Sequence, residues 1–251
     1  MRSGKRPAAD RISSLPCDVL EKILGCLPLH YAVRTSVLSR EWRYKWAVRS
    51  ELMFDDNVDK GLFLKTIIYQ VLLLHQGPLR KFSLPVPKYV LFPDIDNWIM
   101  FLSKKNVQEF SLRFCYSEDF LLPSHLFKFH DLRHLELLSC KFRPAPNFKA
   151  FSRLVTLDFR FVTFEPTSFQ TLLSSSPLLE RVKLKWCTQF DNFIVDAPHL
   201  KFFEFYGTAR SYCFKNAPLL EEIIMARACH EISKVIIIIE KFDRRITGFA
   251  P

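Results

Sequence analysis

The first hydrophobic positions of the chain recur at the spacing of an amphipathic helix. One stripe, whose members lie one, three or four positions apart, consists of Val19, Leu20, Ile23, Leu24 and Leu27. Such a stripe predicts a helix that buries one face. Leu15-Pro16 opens this helix, since proline is tolerated in a first turn, and Pro28 ends it. Ser13 and Ser14 precede the helix and offer a side-chain cap.

Two further apolar groups lie within residues 10–54. The second group falls in residues 32–37, and a third segment places Trp42 and Trp46 four positions apart on one side. The sequence thus predicts three short helices. A segment of about 45 residues cannot build an independent core. These helices therefore need a further surface, which is either the rest of this chain or a partner protein.

The remainder of the chain repeats one frame: an apolar residue, two variable positions, an apolar residue, one variable position and an apolar residue. The frame begins at Leu79, Val107, Leu132, Leu154, Leu179, Leu200 and Leu220. These starts are 20 to 28 residues apart, which is the period of leucine-rich repeats. Each frame predicts one short strand with its apolar positions inward, and parallel stacking of such strands predicts a solenoid.

Helical segments are predicted to return the chain between some of these strands. The apolar spacing predicts such returns at residues 98–102 and 168–174, and β-branched residues at 234–240 predict one more strand. A helix over residues 61–75, ended by Gly77-Pro78, is expected to cover the open end of the first repeat.

These patterns divide the chain into five predicted parts. We expect a disordered basic tail at 1–9, a three-helix module at 10–54, a linker and capping helix at 55–78, a solenoid at 79–240 and a tail at 241–251. The predicted fold class is α+β or α/β solenoid, with a parallel sheet of about seven or eight irregular repeats.

Residues 15–46, LPCDVLEKILGCLPLHYAVRTSVLSREWRYKW, resemble the F-box of the plant F-box/leucine-rich-repeat family. The opening L-P-x-D-V-L-x-x-I-L, the centre A-V-x-T-S-V-L-S-R and the close W-R-x-x-W all match in order and distance. Lys45 departs from the pattern, where Leu is usual, although a lysine stem can lie along an apolar groove. The S-x-P-L-L-E and A-P-x-L phrases before strands resemble the repeats of the same family, and so extend the resemblance to about residue 226.

The resemblance implies that the leading module docks on a Skp-type adaptor, which bridges to a cullin ubiquitin ligase. The chain would then be the non-catalytic substrate receptor of that ligase, in the nucleus and/or cytoplasm. By the motif match, the adaptor-binding residues would be Leu15, Pro16, Val19, Leu20, Ile23, Leu24, Leu27, Pro28, Val33, Val37, Leu38, Trp42 and Trp46. Two alternatives stay open: a binding scaffold with a vestigial F-box, and a nucleic-acid-binding protein.

Positions between the inward apolar residues of each strand are predicted to face the concave side. Solenoids bind partners on such faces, and Arg, Tyr and Phe anchor interfaces. The candidate residues for binding an unknown target protein are Arg113, His134, Glu136, Asp158, Arg160, Arg181, Lys183, Lys185, Phe202, Glu204 and Tyr206. For any one of them, a solvated sheet face is the alternative interpretation.

The net charge of +10 is concentrated at the start of the chain. Residues 1–50 hold ten basic and four acidic residues, whereas the other 201 hold 26 and 22. This distribution favours an acidic protein partner for the leading module, through electrostatic steering. It argues against nucleic acid, which would require a basic stripe along one face.

The seven cysteines include no C-x-x-C pair, and their odd number favours a reducing intracellular compartment. Cys140 and Cys187 follow repeat frames at the same offset, so we interpret them as core residues rather than nucleophiles. No apolar run approaches the ~20 residues of a membrane span.

Candidate catalytic or metal chemistry is weak in this sequence. Phosphate-loop, serine-hydrolase and zinc-protease motifs do not occur. His125, His130 and His134 form the best histidine group, but a predicted strand begins between the last two. The sequence therefore predicts no enzyme activity, no cofactor and no metal.

Overall fold

The computed structural model describes residues 15–40, 42–55, 63–87, 92–115, 120–144, 148, 151–165, 167–188, 192–209, 211–227, 234–238 and 247–249. The predictions for residues 1–9, for the Ser13 and Ser14 cap and for most of the tail at 241–251 lie outside this part of the chain.

Two α-helices open the described chain, and each begins directly after a proline. They are α1 (Cys17–Cys26) and α2 (Leu29–Arg34). Pro16 and Pro28 occupy the preceding position with φ of −56° and −51°, and neither end has a side-chain capping hydrogen bond. The fixed backbone angle of proline therefore begins these helices, without help from a polar cap.

The predicted third helix is not an α-helix in the structure. Residues Thr35–Val37 and Lys45–Val48 form short 3-10 turns. Tyr44, immediately before the second turn, has a φ of +67°, in the left-handed region. A right-handed helix cannot continue through that angle, so the segment that carries Trp42 and Trp46 is divided.

Twelve strands are present in the described residues, in addition to three later helices. The strands are β1 (Glu51–Met53), β2 (Lys81–Val86), β3 (Glu109–Phe114), β4 (His134–Phe142), β5 (Thr156–Phe164), β6 (Arg181–Lys185), β7 (Asn192–Asp196), β8 (Phe202–Gly207), β9 (Ser211–Asn216), β10 (Glu222–Arg227), β11 (Lys234–Ile238) and β12 (Thr247–Phe249). The helices are α3 (Phe63–Leu74), α4 (Phe92–Leu102) and α5 (Ser168–Ser174).

Nine of these strands form the main sheet, in the order β1-β2-β3-β4-β5-β6-β8-β10-β11. Its strand pairs are parallel except the last, in which β11 runs antiparallel to β10. All seven strands predicted from the repeated frame are confirmed, as are the strand near residue 234 and the helical returns α4 and α5.

An eighth parallel strand, β1, was not predicted. The sequence pattern places residues 51–53 in the leading module, but in the structure they pair in register with residues 81–83 of β2. The predicted capping helix exists as α3, and it connects β1 to β2. It therefore serves as the return helix of a first repeat, and the solenoid begins directly after the helical module.

A second sheet replaces the helical returns in the later repeats. Strand β9 pairs parallel with β7 and antiparallel with β12. Val195 and Phe214 from this sheet are fully buried. Alternating aromatic and β-branched residues in these segments suit a half-buried strand better than a helix.

The core lies behind the main sheet and is rich in phenylalanine. The inward residues of the strands, such as Leu135 and Leu137, are completely buried. Ring contacts link Phe54, Phe82, Phe110 and Phe129 with centroid distances of 5.2 to 5.9 Å. Such offset and edge contacts account for the use of 25 phenylalanines in this chain.

Cys140 and Cys187 lie in this core, as predicted. Burial raises the pKa of both thiols, that of Cys187 to about 12. A thiol in that condition stays protonated at neutral pH and is a poor nucleophile.

Candidate protein-binding surfaces

The leading module exposes a set of large hydrophobic side chains. This set, the F-box front, consists of Ile23, Tyr31, Val37, Leu38, Tyr44 and Val48. The two most exposed members are Val37 at 86% and Leu38 at 57%, both in or next to the 3-10 turn after α2. Six such side chains within residues 23–48 make the F-box front a candidate contact surface.

The predicted adaptor-binding residues divide into two groups by burial. Pro16, Ile23, Pro28, Val37 and Leu38 are exposed, and Leu15, Val19, Leu27 and Val33 are half-buried. Leu20, Leu24, Trp42 and Trp46 are buried within the chain itself. This second group cannot form a surface in this conformation.

The buried tryptophans hold the module together from inside. The indole Nε1–H of Trp46 donates to the Ser36 hydroxyl oxygen over 3.1 Å, which ties the 3-10 turn after α2 to the one at residues 45–48. Sequence spacing did not separate these residues from the exposed ones, because a short helical module uses the same apolar residues for its interior and its surface.

Polar contacts fix the module to the first repeat. The His75 ring Nε2, just after α3, lies 2.8 Å from the Arg49 carbonyl oxygen of the module. Within the module, the Arg49 guanidinium donates to the Leu27 carbonyl over 3.0 Å. The Gln76 backbone N–H donates to the Ala47 carbonyl over 2.8 Å. Burial lowers the pKa of His75 below its ordinary value, so the neutral ring fits this junction.

The polar face of the main sheet carries the predicted target-binding residues. They lie in three rows that cross strands β3 to β8 in register, with Ser111, Glu136, Asp158, Lys183 and Glu204 in the middle row. All eleven predicted residues lie in these rows, so the structure brings them together on one face.

Carboxylates on this face are bound by neighbouring side chains. Arg160 donates two hydrogen bonds to Asp158, over 3.0 and 2.8 Å, and Lys185 pairs with Glu204 at 2.9 Å. The Ser111 hydroxyl donates to Glu136 over 2.8 Å. The hydrogen bonds that Arg160 donates to Asp158 raise the pKa of Arg160. Asp158 and Glu204 are thereby neutralised where they are buried.

Basic and aromatic side chains meet at the β6–β8 end of the face. The Arg181 guanidinium carbon lies 4.4 Å from the centre of the Phe202 ring, and the Lys183 nitrogen lies 5.8 Å from the same centre. Lys185 lies 5.1 Å from the Tyr206 ring centre. These are cation–π distances. His134 and Arg113 are half-buried at the other end of the rows.

The structure adds two surface residues that the sequence analysis missed. Phe161 and Trp186 are 48% and 44% exposed, although strict alternation would place them inward. Their φ angles are +52° and +57°, and Ser139 at the same repeat position has +56°. The sequence does contain a signal for this exposure. Val162 and Cys187 follow the preceding core residue by three positions rather than two, which requires an extra outward residue.

The described part of the chain lacks two further features. No group of three or more His, Cys, Asp or Glu side chains is arranged to hold a metal ion there. Among the same residues, no helix has the length and hydrophobicity that crossing a bilayer requires.

Comparison with known proteins identifies two family matches. Residues 12–50 match the F-box domain, and residues 95–241 match the family described as FBD-associated F-box protein At5g56370, LRR repeats. The second match covers more than half of the chain.

Similar proteins from Arabidopsis thaliana carry corresponding names. F-box/FBD/LRR-repeat protein At1g13570 is 37% identical over 91% of this chain and 56% of its own length. FBD-associated F-box protein At5g56370 is 31% identical over 88% of this chain and 55% of its own length. F-box/FBD/LRR-repeat protein At3g52680 is 31% identical over 88% of this chain and 52% of its own length.

This chain spans about half the length of these curated relatives. The helices and 3-10 turns of the helical module lie within the F-box match, and all strands of the main sheet except β1 and β2 lie within the repeat match. The chain belongs to the F-box/LRR-repeat protein family.

Proposed function

We propose that this chain is the substrate-recognition subunit of a Skp–cullin–F-box ubiquitin ligase. The F-box front docks on a Skp-type adaptor, and the polar face of the repeats binds a target protein. The chain itself catalyses no bond change in this scheme. It raises the effective concentration of target lysines near a ubiquitin-conjugating enzyme, and proximity supplies the rate gain.

The observation that carries this proposal is the exposure of Val37 and Leu38 inside the segment that matches the F-box domain. Both side chains lie outside the core, whereas four other predicted adaptor-binding residues are buried within the chain. The proposal assigns adaptor contact to the exposed and half-buried predicted residues. Leu20, Leu24, Trp42 and Trp46 take the role of positioning them.

Val37→Asp/Leu38→Asp tests the adaptor-binding surface. We expect the double variant to lose adaptor binding by at least about tenfold, because two charges would enter an apolar contact. Co-purification and titration with a purified Skp-type adaptor measure this. Leu73→Asp is the matched control, since Leu73 is 77% exposed on α3, outside the module. A change at Leu20 would test folding instead, because Leu20 is buried.

Three results of this experiment have distinct meanings. Unchanged adaptor binding by the double variant, with an unchanged melting temperature, would show that the surface assignment is wrong. Adaptor binding by the wild-type chain without recruitment of a cullin would favour a non-ligase scaffold. Loss of the adaptor in the Leu73 control would mean that α3 belongs to the interface.

A further inference from the structure

The middle of β5 and the carboxyl end of β6 present paired basic and aromatic side chains to solvent. Arg160 and Phe161 are consecutive and both face outward, and Lys185 and Trp186 repeat this arrangement on the next strand. Arg160 and Lys185 are register partners, so the two pairs lie side by side at a strand spacing of about 4.8 Å.

A left-handed backbone residue produces this arrangement in each strand. Phe161 and Trp186 have positive φ, which bulky side chains rarely adopt, and the following residues Val162 and Cys187 return to the core. The backbone N–H of Trp186 donates to the Tyr206 carbonyl over 2.6 Å, which fixes the Trp186 backbone against β8. Backbone strain of this kind persists only where the surrounding structure stabilises it. Strained residues occur more often at functional sites than elsewhere.

Two cations of this face, Arg181 and Lys183, have no carboxylate partner among the described residues. Arg160 and Lys185 have carboxylate partners, whereas Arg181 and Lys183 make no ion pair with any described residue. Both lie over the Phe202 ring instead. We define the aromatic–basic patch as Phe161, Arg181, Lys183, Trp186, Phe202 and Tyr206.

We propose that the aromatic–basic patch binds a short acidic segment of a protein target, with an apolar side chain of that segment against Phe161 and Trp186. This inference rests on the proposed function, in which the repeats bind the target. Carboxylates or phosphates of the segment pair with Arg181 and Lys183, and the exposed rings supply the apolar anchor.

The charge pattern favours a short acidic segment over nucleic acid. The middle row of the polar face carries Glu136, Asp158 and Glu204 on strands β4, β5 and β8. A polyanion that crosses the sheet would pass over these carboxylates, and repulsion would oppose its binding. At the β6–β8 end, Asp158 and Glu204 are already paired with Arg160 and Lys185. An acidic segment of a few residues can therefore reach Arg181 and Lys183 without passing over Glu136, whose hydrogen-bond donor is the Ser111 hydroxyl rather than a cation.

Selection from a random twelve-residue peptide library, with the full chain as bait, tests this inference. We expect Asp and Glu to be enriched at least about threefold in the bound peptides, together with one apolar residue. Arg181→Gln/Lys183→Gln should abolish that enrichment. Phe161→Ala/Trp186→Ala should weaken the best selected peptide by about tenfold.

Leu178→Ala/Leu219→Ala is the matched control for the aromatic variant. These leucines are 44% and 48% exposed and lie outside the patch, so peptide affinity should not change. Replacement of the selected peptide's acidic residues by phosphoserine or by glutamate identifies which anion binds more tightly. Peptides without acidic enrichment, or patch variants that bind as well as the wild type, would overturn the inference. So would tighter binding of a twelve-nucleotide single-stranded RNA that the same variants abolish.

Adaptor binding measured on the same preparations separates this inference from the proposed function. If the adaptor binds but peptide selection shows no acidic preference, the inference alone fails. If acidic peptides bind through the patch but no adaptor is captured, the ligase role fails and the inference holds for a scaffold.

Discussion

Phe161 and Trp186 show how a single backbone angle moves a side chain from the interior to the surface. Each follows an outward-facing basic residue and precedes a buried residue, so the two-residue alternation of the strand is interrupted once. A non-glycine residue in the left-handed region costs about 1–2 kcal/mol relative to right-handed or extended backbone. The same strained backbone angle recurs at this position in neighbouring repeats. It persists because the packed residues around it stabilise this conformation.

Substitution of Phe161 by glycine or by alanine measures this strain directly. Both variants lose the ring, and they differ mainly in their tolerance of a φ of +52°. We expect Phe161→Gly to be the more stable of the two by about 1 kcal/mol in urea unfolding.

Thr163, in the same strand but without a positive φ, supplies the control pair for this measurement. There alanine should be more stable than glycine, as is usual in a strand. Equal or greater stability of Phe161→Ala over Phe161→Gly would show that the angle is not maintained in solution.

At the scale of elements, the sequence predicted the strands better than their connections. Seven frames became seven strands because burial on one face imposes the alternation of Leu, Phe and Val that the frame describes. β1 was missed because its three residues, Glu51–Met53, are too few to show a period. The second sheet was missed because β7 and β9 occupy positions where earlier repeats have helices, so the frame gave no signal for them.

The two candidate surfaces were predictable to different degrees, because strand alternation separates two faces and helical spacing in a short module does not. Alternation placed the residues of the polar face correctly, from Arg113 to Tyr206. In the helical module, spacing identified one apolar set but could not divide it into interior and surface. That division appears only in the folded chain, where Trp46 is 2% exposed and Val37 is 86% exposed.

The junction between the helical module and α3 predicts a pH dependence of stability. Burial lowers the pKa of His75, repulsion from Lys105 lowers it further, and the Arg49 carbonyl partly opposes both. Unfolded chains with an ordinary histidine pKa of about 6.5 bind a proton that the folded chain does not. The contribution of His75 to the free energy of unfolding is therefore expected to be complete above that pH and to decrease as the pH falls below it.

Thermal or urea unfolding of His75→Gln between pH 7.5 and 5.5 checks this expectation. The amide can still donate to the Arg49 carbonyl, so the variant should fold and show a weaker loss of stability on acidification. His130→Gln, at an exposed position, should retain the wild-type pH dependence. A pH dependence unchanged by His75→Gln would show that the junction does not exclude the charged ring.

At the scale of the whole molecule, the helical module and the repeats form one continuous structure. Residues 51–53, which directly follow the F-box match, are already a strand of the main sheet. Hydrogen bonds from His75 and Gln76, directly after α3, to the carbonyl oxygens of Arg49 and Ala47 tie the two parts together. An adaptor at the F-box front and a target on the polar face would consequently be held at a fixed separation, as transfer to a positioned lysine requires.

The distribution of charge over the molecule predicts how the adaptor would associate. Residues 1–50 hold ten basic and four acidic residues, whereas the F-box front is apolar. Long-range attraction should therefore set the association rate, and the apolar contact should set the dissociation rate. Since the screening length is about 10 Å at 0.1 M salt, we expect the association rate to fall about tenfold between 0.05 and 0.5 M. Biolayer interferometry with a purified Skp-type adaptor measures both rates.

Substitution of exposed basic residues in the two parts of the chain locates the source of this steering. Arg34→Gln/Arg43→Gln, in the helical module, should lower the association rate several-fold at low salt and leave dissociation nearly unchanged. Lys128→Gln/Arg133→Gln removes the same charge from the repeats and should have a smaller effect, because these side chains belong to the repeats and not to the docking module. If instead the Arg34 and Arg43 changes accelerate dissociation, those side chains belong to the contact itself, and the docking surface is more polar than the F-box front.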